Sequence, residues 1–71
     1  MESLINVGTL KKEVKCLTCG KNLTGMAVKG YPHSDGYHVN GVKLWLFVEC
    51  RYCSYQNSFR KLGLSVYDVS G

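Results

Sequence analysis

What the chain lacks narrows it before any motif is read. No apolar run approaches the ~18 residues that a membrane-crossing helix needs. No glycine-rich phosphate loop leads into a helix, no Ser-His-acid set is legible, and the five carboxylates are scattered. Enzymatic activity is therefore not expected. Tyr31-Pro32-His33-Ser34-Asp35-Gly36 does group a histidine, a serine and an aspartate. Neighbours in sequence seldom align as a triad, and the stretch reads better as a turn. The opening MESLINVGTLKKEVK has neither the basic start nor the apolar stretch of a secretory signal. The expected setting is cytoplasmic and reducing, with no membrane and no small-molecule substrate as partner.

Length is also in short supply. Seventy-one residues make one domain at most, and an apolar core of that size gives only marginal stability without a disulfide, a metal or a partner chain. Hydrophobic residues make up 45% of the chain, which argues against wholesale disorder. Nine Lys and Arg against five Asp and Glu give a net charge of +4. Four thiolates around a divalent ion would lower that to +2, a basic excess that permits nucleic acid as partner without arguing for it.

The four cysteines fall as two identical pairs, Cys16-Leu17-Thr18-Cys19 and Cys50-Arg51-Tyr52-Cys53, with 30 residues between them. Two intervening residues let the backbone turn so that both sulfurs converge on one ion, at about 2.3 Å for zinc. Each pair supplies half a tetrahedron, so binding becomes part of folding. The expected ligands of one Zn2+ are Cys16, Cys19, Cys50 and Cys53. Two disulfides are the alternative, with three possible pairings, but the repeated gap and the missing signal favour a metal. Neither pair shows the strand-to-helix setting of a thioredoxin-type redox motif. His33 and His38 are possible substitute ligands that a four-cysteine site does not need. Four sulfurs leave no open coordination position, so the ion is expected to hold structure and not to catalyse.

CLTCGK, a hairpin-rich stretch and then CRYCSY resemble a zinc ribbon across roughly residues 14–62. That resemblance implies an all-β fold with two knuckles at the ends of antiparallel strands. In such knuckles glycine follows the second cysteine, where positive φ lets N–H groups point at sulfur. Gly20 fits; Ser54 departs. Two C-x-x-C pairs about thirty residues apart also resemble rubredoxin, which implies iron and electron transfer as the alternative. Rubredoxins typically carry Cys-Pro-x-Cys-Gly at the second knuckle and are acidic, whereas this chain has Cys50-Arg51-Tyr52-Cys53-Ser54 and a basic balance.

Turn chemistry outlines the strands. Residues 1–13 contain Leu4, Val7 and Leu10 at near-helical spacing, but Gly8 interrupts them, so they read as a packed N-terminal arm before a ribbon domain over 14–71. Val14 to Leu17 is expected as a short strand into the first knuckle. Leu23 to Lys29 reads as a second strand, ended by Gly30-Tyr31-Pro32-His33 because Pro32 carries no N–H. Asp35-Gly36 marks a tight turn. Asn40-Gly41 marks a type I′ hairpin turn that joins Tyr37-His38-Val39 to the longest strand, Val42–Glu49. On that strand Leu44, Leu46 and Val48 lie on one face and Lys43, Trp45, Phe47 and Glu49 on the other. Both faces carry apolar groups, which predicts a central strand. Tyr55 to Leu62 suits a returning strand ended by Gly63, and Leu64–Val69 an edge strand or ordered tail. The spacing predicts three to five short antiparallel strands, with Leu44, Leu46, Val48, Phe59 and Leu62 in the core.

Near the second knuckle, Lys43, Trp45, Arg51, Tyr52, Tyr55, Arg60 and Lys61, with Phe59, are candidates for a nucleic-acid-binding face, since bases stack on rings while cations hold phosphates. Zinc ribbons of the transcription machinery resemble this arrangement, which implies nucleic acid or a nucleic-acid-handling protein as partner. Ribbons acting inside polymerase carry adjacent acidic residues at a hairpin tip; the lone Asp35 does not match. The competing view is structural: Tyr and Phe at alternate positions pack a small sheet, while Lys15, Lys21 and Arg51 favour the neighbouring thiolates. A protein-contact or purely structural module is the alternative.

Overall fold

The computed structural model describes residues 4–70. The first three residues of the expected arm, and Gly71, lie outside the described residues. Five strands form a single antiparallel sheet: β1 (Ile5–Leu10), β2 (Ala27–Val39), β3 (Val42–Glu49), β4 (Gln56–Ser58) and β5 (Val69–Ser70). Their order across the sheet is β4-β3-β2-β1-β5. One short helix, α1 (Phe59–Leu62), follows β4, and a 3₁₀ turn at Val66–Asp68 leads into β5. The protein is a small all-β fold, as the spacing of cysteines and turns predicts. Among the described residues no helix is long and apolar enough to cross a membrane.

The β2–β3 hairpin is the backbone of the fold. Asn40 and Gly41 both take positive φ, 50° and 83°, which is what a two-residue type I′ turn requires. That turn sets the register Val39↔Val42, and the pairing then runs down to Val28↔Val48. Leu44, Leu46 and Val48 are buried on one face, with Val28 from β2 and Phe59 from α1 in the same cluster. Leu62 is half-buried against it, and Leu10, Cys16, Leu23, Met26, Cys50 and Leu64 complete it.

Four local expectations are corrected. The residues read as an arm contribute β1, paired with β2 from Ile5↔Gly30 to Thr9↔Ala27. Val14–Leu17 makes only an isolated bridge, Lys15↔Asn22, because the Cys16 N–H is spent on Lys21 O inside the knuckle. Pro32 does not end the second strand. β1 pairs with β2 only as far as Gly30, so Pro32 lies where β2 has one neighbour and a missing N–H is tolerated. The interruption appears instead as a bulge: residues 33–36 loop out, and Leu44 faces both Pro32 and Tyr37.

The stretch Tyr55–Leu62 is mostly not strand. Ser58 Oγ accepts the Lys61 N–H, and Gly63 closes the turn at φ 70° with its N–H on Phe59 O. These two caps convert residues 59–62 into a helical turn. The turn rotates Phe59 into the core, against Tyr37 at 5.9 Å between ring centroids and 70° between planes. Of Leu64–Val69, Val69 alone joins an edge strand, with Ser70; Ser65 and Asp68 cap the 3₁₀ turn before it.

Candidate metal centre

The site is built from two turns of the same design. In the first, Cys16 N–H donates to Lys21 O at 2.8 Å and Gly20 N–H to Cys16 O at 3.2 Å. In the second, Cys50 N–H donates to Tyr55 O at 3.0 Å and Ser54 N–H to Cys50 O at 2.8 Å. Gly20 has φ 75° and Ser54 φ 63°. Ser54 therefore adopts the glycine conformation despite its Cβ, and the two knuckles have one shape.

The four sulfurs lie within 4.8 Å of one another, and all four cysteines are free. Cys16 Sγ is 3.5 Å from Cys53 Sγ, and Cys19 Sγ is 3.5 Å from Cys50 Sγ. A tetrahedron of sulfurs at about 2.3 Å from an ion has edges of about 3.8 Å, so the donor set fits a four-thiolate metal site. One cysteine of each pair is buried, Cys16 and Cys50, and the other, Cys19 and Cys53, reaches the surface. The site thus spans from core to solvent.

Groups around the sulfurs prepare them for a cation. Burial opposes ionisation of Cys16, but the Cys19 and Thr18 N–H groups, the Thr18 hydroxyl and the Asn57 amide bring its pKa down to about 5. The Thr18 hydroxyl and then the Tyr55 N–H lower that of Cys53. For Cys19 the Lys21 N–H pulls downward, yet desolvation and the three neighbouring sulfurs push the value up to about 12. Four adjacent thiols cannot all ionise alone, and a divalent ion removes that conflict.

Two residues outside the expected ligand set shape the cage. Thr18 Oγ1 bridges the knuckles, 3.2 Å from Cys16 Sγ and 3.1 Å from Cys53 Sγ. Asn57 is fully buried. Its Oδ1 accepts the Leu17 N–H at 2.9 Å, and its Nδ2 donates to Val48 O and Tyr55 O, both at 3.2 Å, with Cys16 Sγ 3.6 Å away. Thr18 could have been suspected as a hydroxyl inside a C-x-x-C. The signal for Asn57 is weaker, a polar residue that only the register Val48↔Asn57 turns inward.

The nucleic-acid candidates stand on the central strand, the second knuckle and α1. Lys43 and Trp45 stand on the outer face of β3, and Arg60 lies over the Trp45 ring at 5.1 Å. Arg51 and Tyr52 belong to the second knuckle, where Lys21 from the first knuckle sits 5.6 Å from the Tyr52 ring centroid. Tyr55 is half-buried against the core. Lys61 is exposed on α1. Phe59 is removed from the candidate face, because its side chain is wholly buried. His33 and His38 lie outside the sulfur cluster.

Sheet and cage together are consistent with a small all-β zinc ribbon, in which four clustered cysteines could hold a metal ion. No protein-family description, no curated protein and no solved structure matches the chain.

Proposed function

We propose that the protein is a non-catalytic zinc-binding module that contacts nucleic acid or the machinery that handles it. The observation that carries the metal half is the convergence of four sulfurs, from knuckles 31 residues apart, within 4.8 Å. Zinc is preferred to iron because the second knuckle departs from the rubredoxin pattern and the chain is basic. A closed set of four thiolates keeps water and substrate off the ion, which supports a structural role. Cysteines kept as metal-binding thiolates are in keeping with a reducing compartment such as the cytoplasm.

Support for nucleic acid comes from the aromatic residues beside cations on the sheet, and the basic excess permits that partner. Metal analysis of natively purified protein tests the first half: about one zinc per chain is expected, and a red, iron-loaded product would indicate electron transfer. Titration with a random oligonucleotide at rising salt tests the second. Binding should weaken steeply with salt. No binding at low salt would leave a structural or protein-contact module.

A further inference from the structure

We infer that the outer face of the β2–β3 hairpin is a stacking surface for single-stranded nucleic acid, built on Tyr31, His33 and Trp45. The inference rests on the nucleic-acid reading above and assigns it a surface and a strand state.

Register makes this face. Lys29 pairs with Phe47 and Tyr31 with Trp45, and directly opposed residues of antiparallel strands share a side of the sheet. The opposite side holds the core through Val28, Leu46 and Val48. On the solvent side of a one-layer sheet, alternation usually brings polar residues. Here it brings a connected row of rings. Tyr31 lies 6.1 Å from Phe47 and 6.1 Å from His33, and His33 lies 5.1 Å from Trp45, centroid to centroid. Phe47 is only 2% exposed and forms the floor. Tyr31 and Trp45 are partly exposed above it, and His33 stands out in the bulge. The rings meet at 49° to 74°, so none spends its face in a parallel stack with another.

The cations are placed to complement a phosphate chain. Arg60 lies in α1, two residues beyond the Ser58 that pairs with Phe47, and its side chain reaches back to Trp45. Its guanidinium lies over that ring at 5.1 Å and is steadied by Asp35 O at 3.3 Å. A guanidinium plane so held can itself stack on a base. Lys43 lies at one end of the row. At the knuckle end a cleft of about 380 Å³ is lined by Lys29, Glu49, Arg51 and Ser54, among others. Two cations against one carboxylate there suit a phosphate.

Unpaired bases are favoured over a duplex on two grounds. Ring faces can be engaged only by bases freed from pairing. The single α-helix among the described residues has four residues, too few to read a major groove. DNA and RNA single strands share the required chemistry.

The test uses the metal-loaded full chain at low salt, with mixed-sequence 12-nucleotide DNA and RNA strands and the corresponding 12-base-pair duplex. Trp45 is the sole tryptophan, so its emission reports directly on this face. The expected result is tighter binding to single strands than to duplex, with Trp45 emission quenched on binding. Tyr31→Ala and Trp45→Leu should each weaken binding about tenfold. His33→Ala and Lys43→Glu alter exposed side chains, and both should weaken binding with the fold and metal content intact. If the wild-type chain binds no oligonucleotide, the nucleic-acid reading fails and this inference with it. If it binds but prefers duplex, or if His33→Ala and Lys43→Glu are silent while Tyr52→Ala abolishes binding, the reading stands and the sheet face is the wrong surface.

Discussion

Asn57 Oδ1 accepts the Leu17 backbone N–H at 2.9 Å, joining residues 40 positions apart. Because Nδ2 of the same side chain donates to Tyr55 O and Val48 O, one buried amide ties the first knuckle to the second and to the central strand. Asn57→Leu would leave the Leu17 N–H without that partner and should cost about 3 kcal/mol, measured by denaturant unfolding of the metal-loaded protein. Asn57→Asp keeps the acceptor but removes the donors and sets a carboxylate beside Cys16 sulfur. It should weaken metal binding about 10- to 100-fold in competition with a chromophoric chelator. Wild-type stability and affinity in both variants would show that Asn57 is no clamp.

Thr18 acts on the sulfurs more directly. Its hydroxyl lies between Cys16 Sγ and Cys53 Sγ at 3.2 and 3.1 Å, one sulfur from each knuckle. Thr18→Val removes the hydroxyl at nearly constant shape. Metal affinity should fall about tenfold or more, while Thr18→Ser should retain most of it. Equal affinity in the valine and serine variants would count against the contact.

The thiol environments predict how the metal responds to pH. The lowered pKa of Cys16 favours its ionised form in the fold; that contribution is complete above the free-thiol value of 9.0 and is lost as pH falls through about 5. Cys19 runs the other way. Its protonated form is favoured up to about 12, so at neutral pH an incoming ion must displace that proton. Uptake at pH 7 should therefore release at least about one proton, measurable by calorimetry in buffers of different ionisation heats. Acidification toward pH 5 should release the metal and unfold the chain together. A chelator should do the same at neutral pH, seen as loss of amide dispersion. Retention of the full spectrum and melting point after chelation would contradict a metal-built fold.

What could be read from sequence was local. Two C-x-x-C gaps and Asn40-Gly41 are short-range instructions, and each is realised where it stands, as two knuckles and one hairpin turn. The alternation along Val42–Glu49 likewise gave the buried face of β3. Failures began where distant segments decide. Pro32 looked like a strand end because nothing in its neighbourhood shows that β2 has one partner there. Phe59 fits both the core and the binding face in sequence, because four residues are too few to show a helical period; the Ser58 and Gly63 caps turn it inward, to the core. The metal ligands were legible from spacing; the residues that bind the two halves together, Asn57 above all, depended on register.

Ser54 offers a test of the knuckle design. It holds φ 63° where the matching residue of the first knuckle is Gly20. A left-handed backbone costs an L-residue about 1–2 kcal/mol, partly offset because glycine gives up more freedom on folding. Ser54→Gly should therefore raise stability by about 0.5–1 kcal/mol and leave metal affinity unchanged. A loss of stability would mean that the serine side chain makes a contact worth more than the strain.

The bulge in β2 depends on a close approach at its far end. A Cβ placed on Gly36 would fall on the Leu44 backbone, 2.8 Å from its nitrogen. Backbone atoms of a central strand cannot yield as a side-chain tip can, so Gly36→Ala must push the 33–36 loop away from β3. That movement should also disturb Asp35 O, which holds the Arg60 guanidinium, and His33, which packs on Trp45. The expected outcome is a loss of about 1–3 kcal/mol in stability, together with a shift in Trp45 emission in the folded state. Metal affinity should stay near wild type, because the bulge faces Leu44, with most of β3 between it and Cys50 of the cysteine cage. Unchanged emission with lowered metal affinity would place the strain at the knuckles and refute this account of the bulge.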